Sequence, residues 1–400
     1  MGLIDQNKDQ LGRLLQDLIR FPSVNPPGNE EPIARFLDEK LKNLSFTTEL
    51  VEMDKGRPNV IAKLSGTTGR PRLLCYSHTD VVPPGDLEDW SEDPFSGKID
   101  GDKIWGRGSQ DHKFAIPVLM TAIKAIQDVG LRLKGDLIFA FVVDEEMGGH
   151  KGFRPLLEKG YFVDTDAMIY GATGALDGKW IYIGSNGARW YRITVLGKSV
   201  HTSKLEKGCN AIVKAAMLVL ALQELADKVN RKVHSHTGSA RMSVNMVRGG
   251  EKENVVPGRC IVTVDRRVTP AEDYEEVTGE IQTVLNRLKQ EDPEFRFQME
   301  VTDGPPPVEG QPDSEIVKVL QDAGEAILGV RPKVRGTSGS SDRAWYASML
   351  KKPIAFYAIT KAPPLAHAAN EYAFISDLVN TTKAYAITFI RYLGVEEEYR

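Results

Sequence analysis

The sequence predicts an α/β protein with a mostly parallel sheet, into which a ferredoxin-like α+β domain is inserted. Up to about residue 186, apolar strands alternate with amphipathic helices, the order expected of a parallel sheet. From there the order changes to β-α-β-β-α-β, which is the ferredoxin-like arrangement. Four hundred residues also exceed one ordinary hydrophobic core. We therefore assign residues 1–186 and 303–400 to one domain and residues 187–302 to an inserted second domain.

The individual elements follow from hydrophobic periodicity. Leucines and isoleucines at helical spacing predict helices, and unbroken or alternating apolar runs predict strands. In the first domain these are helices at 9–20, 33–44, 113–128, 313–328 and 375–393, and strands at 47–53, 59–64, 72–77, 136–143, 166–172 and 353–358. In the insertion they are strands at 190–196, 240–247, 259–266 and 295–301, and helices at 209–229 and 272–289.

Composition narrows the classes of partner and compartment. The 55 acidic residues nearly balance 51 basic ones, so we expect neither nucleic acid nor a membrane surface as a partner. No apolar run reaches the length of a membrane span, and the N-terminus lacks the apolar segment of a secretory signal. The three scattered cysteines argue against a disulfide framework. We therefore expect a cytoplasmic protein.

A histidine and a carboxylate follow the most strongly apolar early strand. His78 ends the run that begins at Leu73, and Asp80 comes two residues later. In open α/β sheets, ligands gather at the carboxyl ends of strands. A metal-binding imidazole there commonly has its second nitrogen oriented by a carboxylate. A hydrogen-bonded structural pair is the alternative for these two residues.

Three further groups of the same chemistry lie at strand ends, helix starts or loops. Asp111 precedes the helix at 113–128, Glu145 and Glu146 follow the strand at 136–143, and His367 lies in the loop before the last helix. Taken alone, Asp111 is also consistent with a carboxylate that stabilises the start of a helix. Taken alone, Glu145 and Glu146 are also consistent with an acidic turn exposed to solvent. Together, however, imidazole and carboxylate groups around one sheet suit zinc or another divalent ion.

Four motifs in this order resemble those of a known family. The sequence is similar to the co-catalytic zinc peptidases and amidohydrolases of the M20 type, which include carboxypeptidase G2, succinyl-diaminopimelate desuccinylase, acetylornithine deacetylase and aminoacylase-1. The resemblance covers nearly the whole chain. Its motifs are Ser77–Pro83 (SHTDVVP), Gly106–Lys113 (GRGSQDHK), Asp144–Gly149 (DEEMGG) and His367–Tyr372 (HAANEY). It implies a zinc-exopeptidase-like catalytic domain and an inserted lid and dimerisation domain.

The resemblance also implies the metal ligands. His78 would bind a first metal ion, with Asp80 orienting the imidazole. Asp111 would bridge two ions, and Glu146 and His367 would hold the second. The expected ion is zinc, with cobalt or manganese as alternatives. Glu145 would be the general base, generating a metal-bound hydroxide that attacks the amide carbonyl.

Further residues are implied to serve the substrate. His201, in a lid motif at 197–203, would reach the active site of a partner subunit and stabilise the oxyanion, which implies a homodimer formed through the lid. Arg267 would hold a substrate carboxylate, since its planar fork suits that group. The remaining candidates for substrate binding are Asn254, Gly339, Ser340 and Arg343.

One position departs from the family pattern. A carboxylate that would complete the first metal site is expected after the strand at 166–172, and Ala172 occupies that position. Asp164 and Asp166 precede the strand, so we expect them at its far end. His112 follows the bridging aspartate and is a possible substitute. Our hypothesis is one tightly bound metal ion and one weak or absent ion per chain.

These observations predict a metallohydrolase that cleaves the amide bond of an N-acyl amino acid or short peptide. Its small-molecule substrate would carry a free carboxylate, as a substrate of a deacylase, desuccinylase or exopeptidase does. The alternative is a catalytically weakened relative that binds such ligands or acts as a scaffold, which Ala172 favours. Intact Glu145, Glu146, His201 and His367 favour the enzyme.

Overall fold

The computed structural model describes residues 2–171 and 177–397, which form two compact units. The first unit consists of Met1–Ile183, Gly310–Arg335 and Trp345–Arg400. The second unit consists of Gly184–Glu309 and Gly336–Ala344. The chain therefore passes between the units four times.

The elements before the second unit are regular and mostly short. In chain order they are α1 (Gly2–Gln6), α2 (Lys8–Ile19), α3 (Glu31–Lys42), β1 (Thr47–Asp54), β2 (Arg57–Leu64), β3 (Arg72–His78), β4 (Ile99–Asp100), β5 (Lys103–Trp105), α4 (Ala115–Asp128), β6 (Leu131–Leu133), β7 (Asp136–Val142), α5 (Phe153–Glu158), β8 (Ala167–Gly171) and β9 (Trp180–Ser185). Single 3₁₀ turns lie at Leu87–Asp89 and Glu145–Met147.

The second unit and the return to the first complete the order. The elements up to Glu309 are β10 (Gly187–Leu196), a 3₁₀ segment at Thr202–Lys207, α6 (Ala211–Val229), β11 (Val233–His234), β12 (Gly238–Ser239), β13 (Arg241–Gly249), β14 (Arg259–Val268), α7 (Tyr274–Glu291) and β15 (Arg296–Asp303). Those that follow are α8 (Glu315–Leu328), β16 (Lys333–Thr337), α9 (Arg343–Leu350), β17 (Ile354–Tyr357), β18 (Tyr372–Phe374), α10 (Ile375–Leu393) and β19 (Val395–Glu397).

The first unit is built on an eight-stranded sheet of order β1-β2-β7-β3-β8-β17-β9-β16 among the described strands. Its centre is parallel, because β3 pairs in parallel with β7 and β8, and β8 pairs in parallel with β17. The antiparallel pair β1 and β2 lies at one edge. The predicted α/β class with a mostly parallel sheet is confirmed.

Burial explains why β3 lies at the centre of this sheet. Leu73, Leu74 and Cys75 are fully buried, and Leu73 and Cys75 belong to the same hydrophobic core as the apolar faces of α4 and α10. Burying one leucine or isoleucine side chain contributes roughly 1.5–3 kcal/mol. A strand of this composition is therefore most stable in the middle of the sheet, covered on both faces.

Strand register brings the predicted site residues to one edge. His78, the last residue of β3, pairs with Val142, the last residue of β7. The segments that continue from these strands therefore leave the sheet side by side. Asp80 lies on one of them, and Glu145 and Glu146 lie on the other.

The second unit has the predicted ferredoxin-like arrangement. Its four-stranded sheet has the order β13-β14-β10-β15, and its neighbouring strands are antiparallel. Helices α6 and α7 share one hydrophobic core with β10 and β14. Asn210 caps α6 by accepting hydrogen bonds from the main-chain N–H groups of Ile212 and Val213.

The periodicity did not predict β9, β16 and α9. The sequence of β16, Lys333–Thr337, has one apolar residue among charged and polar ones, so nothing in it resembles a buried strand. Among the helices that the structure describes, none combines the length and apolar character needed to cross a membrane.

Candidate metal centre

His78 is fully buried at the end of β3, and oxygen atoms face both of its ring nitrogens. Nδ1 lies 3.1 Å from the carbonyl oxygen of Asp80, and Nε2 lies 3.2 Å from Oδ1 of Asp111. Glu145 Oε2 is 3.8 Å from Nε2. Burial alone would lower the pKa of His78, but the charge of Glu145 and the hydrogen bonds to Asp111 and Asp80 raise it well above its ordinary value.

Asp80 joins this histidine to the acidic turn. Its Oδ1 accepts the main-chain N–H of Glu145 at 3.2 Å, and its Oδ2 accepts that of Glu146 at 3.2 Å. Asn25 Nδ2 donates to the same Oδ2 at 2.9 Å. Burial would raise the pKa of Asp80, but His78 and Asn25 hold it below its usual value. One buried carboxylate thus positions both segments that leave the sheet.

Asp111 lies between two histidines. Its Oδ1 faces His78, and its Oδ2 lies 3.2 Å from Nε2 of His367. The same His367 nitrogen is 3.1 Å from Oε2 of Glu146. Burial would raise the pKa of Asp111, but the two histidines hold it well below its ordinary range. Hydrogen bonds to Asp111 and Glu146 raise the pKa of His367 to about 10.

These side chains fit a divalent metal ion. One ligand atom from each of His78, Asp111 and Glu146 lies within 4.8 Å of the others. Burial and then the charge of Asp111 raise the pKa of Glu146 to about 8. Within the described residues, its buried Oε1 has no hydrogen-bond partner. Buried like charges need a cation to compensate them, and nitrogen and oxygen donors of these types suit zinc and similar ions.

A buried ionic network supports the acidic turn. Arg57 donates to Glu30 from Nε at 2.9 Å and from Nη2 at 2.6 Å, and its Nη1 donates to Asp144 Oδ1 at 3.1 Å. Asn25 also donates to that oxygen, at 3.3 Å. Asp144 has a φ of 69°, which is unfavourable for a residue with a side chain, so these contacts hold a strained turn in place.

The sequence did not identify this network. The sequence places Asn25 in a turn-rich stretch, and Arg57 precedes the strand predicted at 59–64. The only local indication was the charge of Arg57 beside a strand whose other residues predict burial. The partners of these residues lie 27 to 119 positions away in the chain.

His112 lies beside the first histidine. Its Nδ1 is 2.8 Å from the hydroxyl oxygen of Ser77, and its ring stacks on that of His78 with centroids 5.1 Å apart. The position at which a third carboxylate was expected, Ala172, lies outside the described residues. Asp166 precedes β8, and it pairs with Arg70 at 2.9 Å.

The predicted lid and substrate residues belong to the second unit. His201 is exposed, and its Nδ1 accepts the main-chain N–H of Ser203 at 3.1 Å. The carbonyl oxygen of Asn254 accepts the N–H of Thr202 at 3.1 Å, so the segments carrying His201 and Asn254 are adjacent.

The other four candidates lie on β14 and on the segment 336–344, which returns to the second unit. On β14, the Nε and Nη2 of Arg267 donate to both carboxylate oxygens of Asp265, at 2.8 and 3.1 Å. Gly339 and Ser340 lie in the segment 336–344, and Arg343 begins α9 at the end of it. Gly339 is exposed, and Arg343 is buried.

The imidazoles and carboxylates at this edge of the sheet are of the types that hold a divalent metal ion in metal-dependent hydrolases. The chain matches the model of Peptidase family M20/M25/M40 over residues 74–391, and it belongs to that family. It is therefore a hydrolase that acts on amide bonds.

The chain is similar to relatives of different activities over almost their whole length. It is 29% identical to succinyl-diaminopimelate desuccinylase of Cupriavidus necator, covering 92% of this chain and 96% of that protein. It is 26% identical to N-formyl-4-amino-5-aminomethyl-2-methylpyrimidine deformylase of Halalkalibacterium halodurans, covering 97% and 95%. A metallo-carboxypeptidase of Sulfolobus solfataricus has the same fold, with a TM-score of 0.81 at 21% identity, covering 95% of this chain and 98% of that one.

Proposed function

We propose that the protein hydrolyses the amide bond of an N-acyl amino acid or a short peptide that carries a free carboxylate. The observation that supports this most directly is the position of Asp111, whose two oxygens face His78 and His367 at 3.2 Å each. Asp111, Glu146 and His367 would hold one metal ion, and His78 with Asp111 would contribute to the site of a second. A divalent ion there supplies Lewis-acid polarisation of water and of a carbonyl oxygen.

Glu145 is the general base in this proposal. Its Oε2 lies 3.8 Å from Nε2 of His78, so its carboxylate faces the proposed metal ligands. Oε2 takes a proton from the attacking water as the water oxygen bonds to the carbonyl carbon. It then delivers that proton to the amine nitrogen as the C–N bond breaks. Asp80 positions Glu145 for this role through the main-chain N–H.

His201 stabilises the oxyanion of the tetrahedral intermediate in our proposal. Because its Nδ1 accepts a main-chain N–H, the neutral ring carries its proton on Nε2. That N–H is a donor of the kind that an oxyanion needs.

The substrate carboxylate binds Arg267 in our proposal. Asp265 engages two of the five donors of the guanidinium, which leaves three for a ligand. We further propose that Asn254, Gly339, Ser340 and Arg343 contact the remainder of the substrate.

We propose that the enzyme is a homodimer joined through its second unit. Strand β13 is an edge of the four-stranded sheet and exposes Met246 and Val247. Helix α6 of the same unit exposes Ile212, Val213 and Leu220. An edge strand with apolar side chains readily pairs with another chain, and a second copy would cover both features. The three buried, free cysteines support the further proposal of a cytoplasmic location.

A hydrolysis screen tests the proposed activity. Purified protein is supplied with zinc, cobalt or manganese and assayed on N-formyl, N-acetyl and N-succinyl amino acids and on dipeptides. We expect turnover of at least one class in the presence of metal. The matched control is Glu145→Gln, which retains the size of the side chain but cannot accept the proton. Equal rates for the two proteins on every substrate would contradict the proposal.

A further inference from the structure

The carboxylate of Glu371 holds the loop that leads into Asp111. Glu371 is fully buried. Its Oε1 accepts the main-chain N–H groups of Gln110 at 2.7 Å and Asp111 at 3.2 Å, and its Oε2 accepts that of Gly108 at 3.2 Å. Gly108 has a φ of 86°, which turns its N–H toward this carboxylate and which a larger residue adopts only with strain. Glu371 therefore fixes the main chain of the residue whose side chain would bridge two metal ions.

The guanidinium of Arg107 holds the second loop, which carries His367. Its Nη1 donates to Glu371 Oε2 at 2.7 Å and to the carbonyl oxygen of Ala368 at 3.0 Å. Its Nη2 donates to the carbonyl oxygen of His367 at 3.3 Å. Arg107 is only 1% exposed, and its Cζ lies 5.2 Å from the centre of the Trp90 ring. A lysine in this position has no planar fork and could not make these bonds together.

The loops 107–111 and 367–371 are therefore joined to each other at both ends. Arg107 lies four residues before Asp111, and Glu371 lies four residues after His367. One end of the junction is the buried ion pair, and the other is the 3.2 Å approach of His367 Nε2 to Asp111 Oδ2. His367 has a φ of 67°, and its side chain is about half exposed, so surrounding side-chain packing does little to hold it. Its position depends on its main chain, which Arg107 contacts.

We propose that Arg107 and Glu371 are positioning residues that set the separation of Asp111 and His367 before a metal ion binds. This inference rests on the proposed function, since it assigns a task to the site that would hold the metal. The pair contacts neither metal nor substrate in this proposal. The pair acts through the main chain of the two loops that carry Asp111 and His367. Residues around a metal site commonly orient the metal ligands in this indirect way.

The test is zinc binding by metal-free protein. Zinc affinity is measured by competition with a chromophoric chelator, and thermal unfolding is measured with and without zinc. For Glu371→Gln and Arg107→Lys we expect zinc affinity to fall roughly 10–100-fold. We also expect the rise in melting temperature on adding zinc to shrink. A merely structural pair would lower both melting temperatures equally and leave the rise unchanged.

Asp136→Asn is the matched control. Asp136 is a buried carboxylate at the start of β7, where it pairs with Lys63 at 2.8 Å and Arg72 at 3.0 Å. It lies at the opposite end of the same sheet from the site, so its loss should lower stability and leave zinc affinity unchanged. If Glu371→Gln does not fold, Arg107→Lys, which keeps the positive charge, decides the matter alone.

The outcomes separate the two proposals. Wild-type protein that neither binds zinc nor hydrolyses any amide overturns the proposed function, and the positioning role with it. Wild-type protein that does both, with variants that bind zinc within twofold of it, overturns the positioning role alone. A selective loss of zinc affinity in both variants, absent in Asp136→Asn, supports the positioning role.

Discussion

The side-chain amide of Asn25 donates a 2.9 Å hydrogen bond to Oδ2 of Asp80. Both residues are buried, and 55 positions separate them in the chain. The same nitrogen reaches Asp144 at 3.3 Å, so one amide holds two carboxylates that would otherwise repel each other. Asn25 thus supports the candidate metal centre although it is not among the residues proposed to bind the ion.

Asn25→Ala should weaken zinc binding and lower kcat while leaving the chain folded. Removal of the donor leaves Asp80 and Asp144 facing each other, so the turn carrying Glu145 and Glu146 loses its alignment. We expect a loss of roughly 10–100-fold in zinc affinity, the usual effect of removing a partner of a metal ligand. Equilibrium dialysis measures this directly. Asn186→Ala, which removes a buried amide that donates to Ser239 in the second unit, is the control and should bind zinc as wild type does.

Glu145→Gln should abolish turnover without loss of metal. General acid–base catalysis contributes about 10²–10⁴-fold, so kcat should fall by that factor while KM changes little. Steady-state kinetics combined with metal analysis of the same sample measures both. Glu158→Gln changes a glutamate on α5 that pairs with Arg154, and it should retain full activity. Loss of metal together with activity would reassign Glu145 as a ligand.

Zinc affinity should rise with pH. In the metal-free chain the pKa of Glu146 is about 8 and that of His367 about 10, so both hold a proton at pH 7. A metal ion binds their deprotonated forms, so binding must displace these protons, about two per ion at neutral pH. Acidification from pH 8 to pH 6 should therefore weaken binding by more than tenfold per pH unit. Calorimetry in two buffers of different ionisation enthalpy counts the protons, and a count of zero would contradict this assignment.

The number of metal ions that the chain retains tests the effect of Ala172, which stands where the family pattern has a carboxylate. Asp111, Glu146 and His367 provide three protein ligands for one ion, which suffices for a catalytic zinc site. We predict one equivalent per chain after exhaustive dialysis against metal-free buffer, measured by atomic emission. Retention of two equivalents would show that another group completes the site of His78. Ala172→Glu is the companion variant, and it should raise retention toward two.

Active sites shared between two chains should be detectable by complementation. His201→Ala and Glu145→Gln chains are each expected to be nearly inactive when produced alone. When they are produced together, half of the dimers contain one of each, and about one quarter of all sites are then intact. Activity of co-expressed chains should reach that fraction of wild type. A preparation no more active than its separate components would show that His201 does not act in a partner's site.

Much of the fold was predictable, because the elements that build the core carry strong local patterns. The runs Leu73–Cys75 and Leu137–Val142 are apolar throughout, and they belong to β3 and β7 in the centre of the sheet. His78 and Glu146 follow such strands closely, whereas Asp111 and His367 were identified from the motifs that resemble the family. The structure brings these four side chains together at one edge of the sheet.

The supporting residues could not be predicted from local patterns. Asn25, Arg57 and Glu371 matter through partners 27 to 264 positions away, and their neighbours in sequence do not indicate those partners. A turn asparagine and a buried asparagine that holds two carboxylates have the same sequence signature. Strand β16 was missed for a related reason, since its place in the sheet is set by neighbouring strands rather than by its own five residues.

The return of segment 336–344 to the second unit has a practical consequence for recombining the protein. Because the chain enters that unit twice, no single stretch of gene encodes it. A chimera that exchanges only residues 184–309 with a relative would unite one protein's sheet with another protein's Gly336–Ala344. An exchange of the complete second unit must therefore transplant both stretches together.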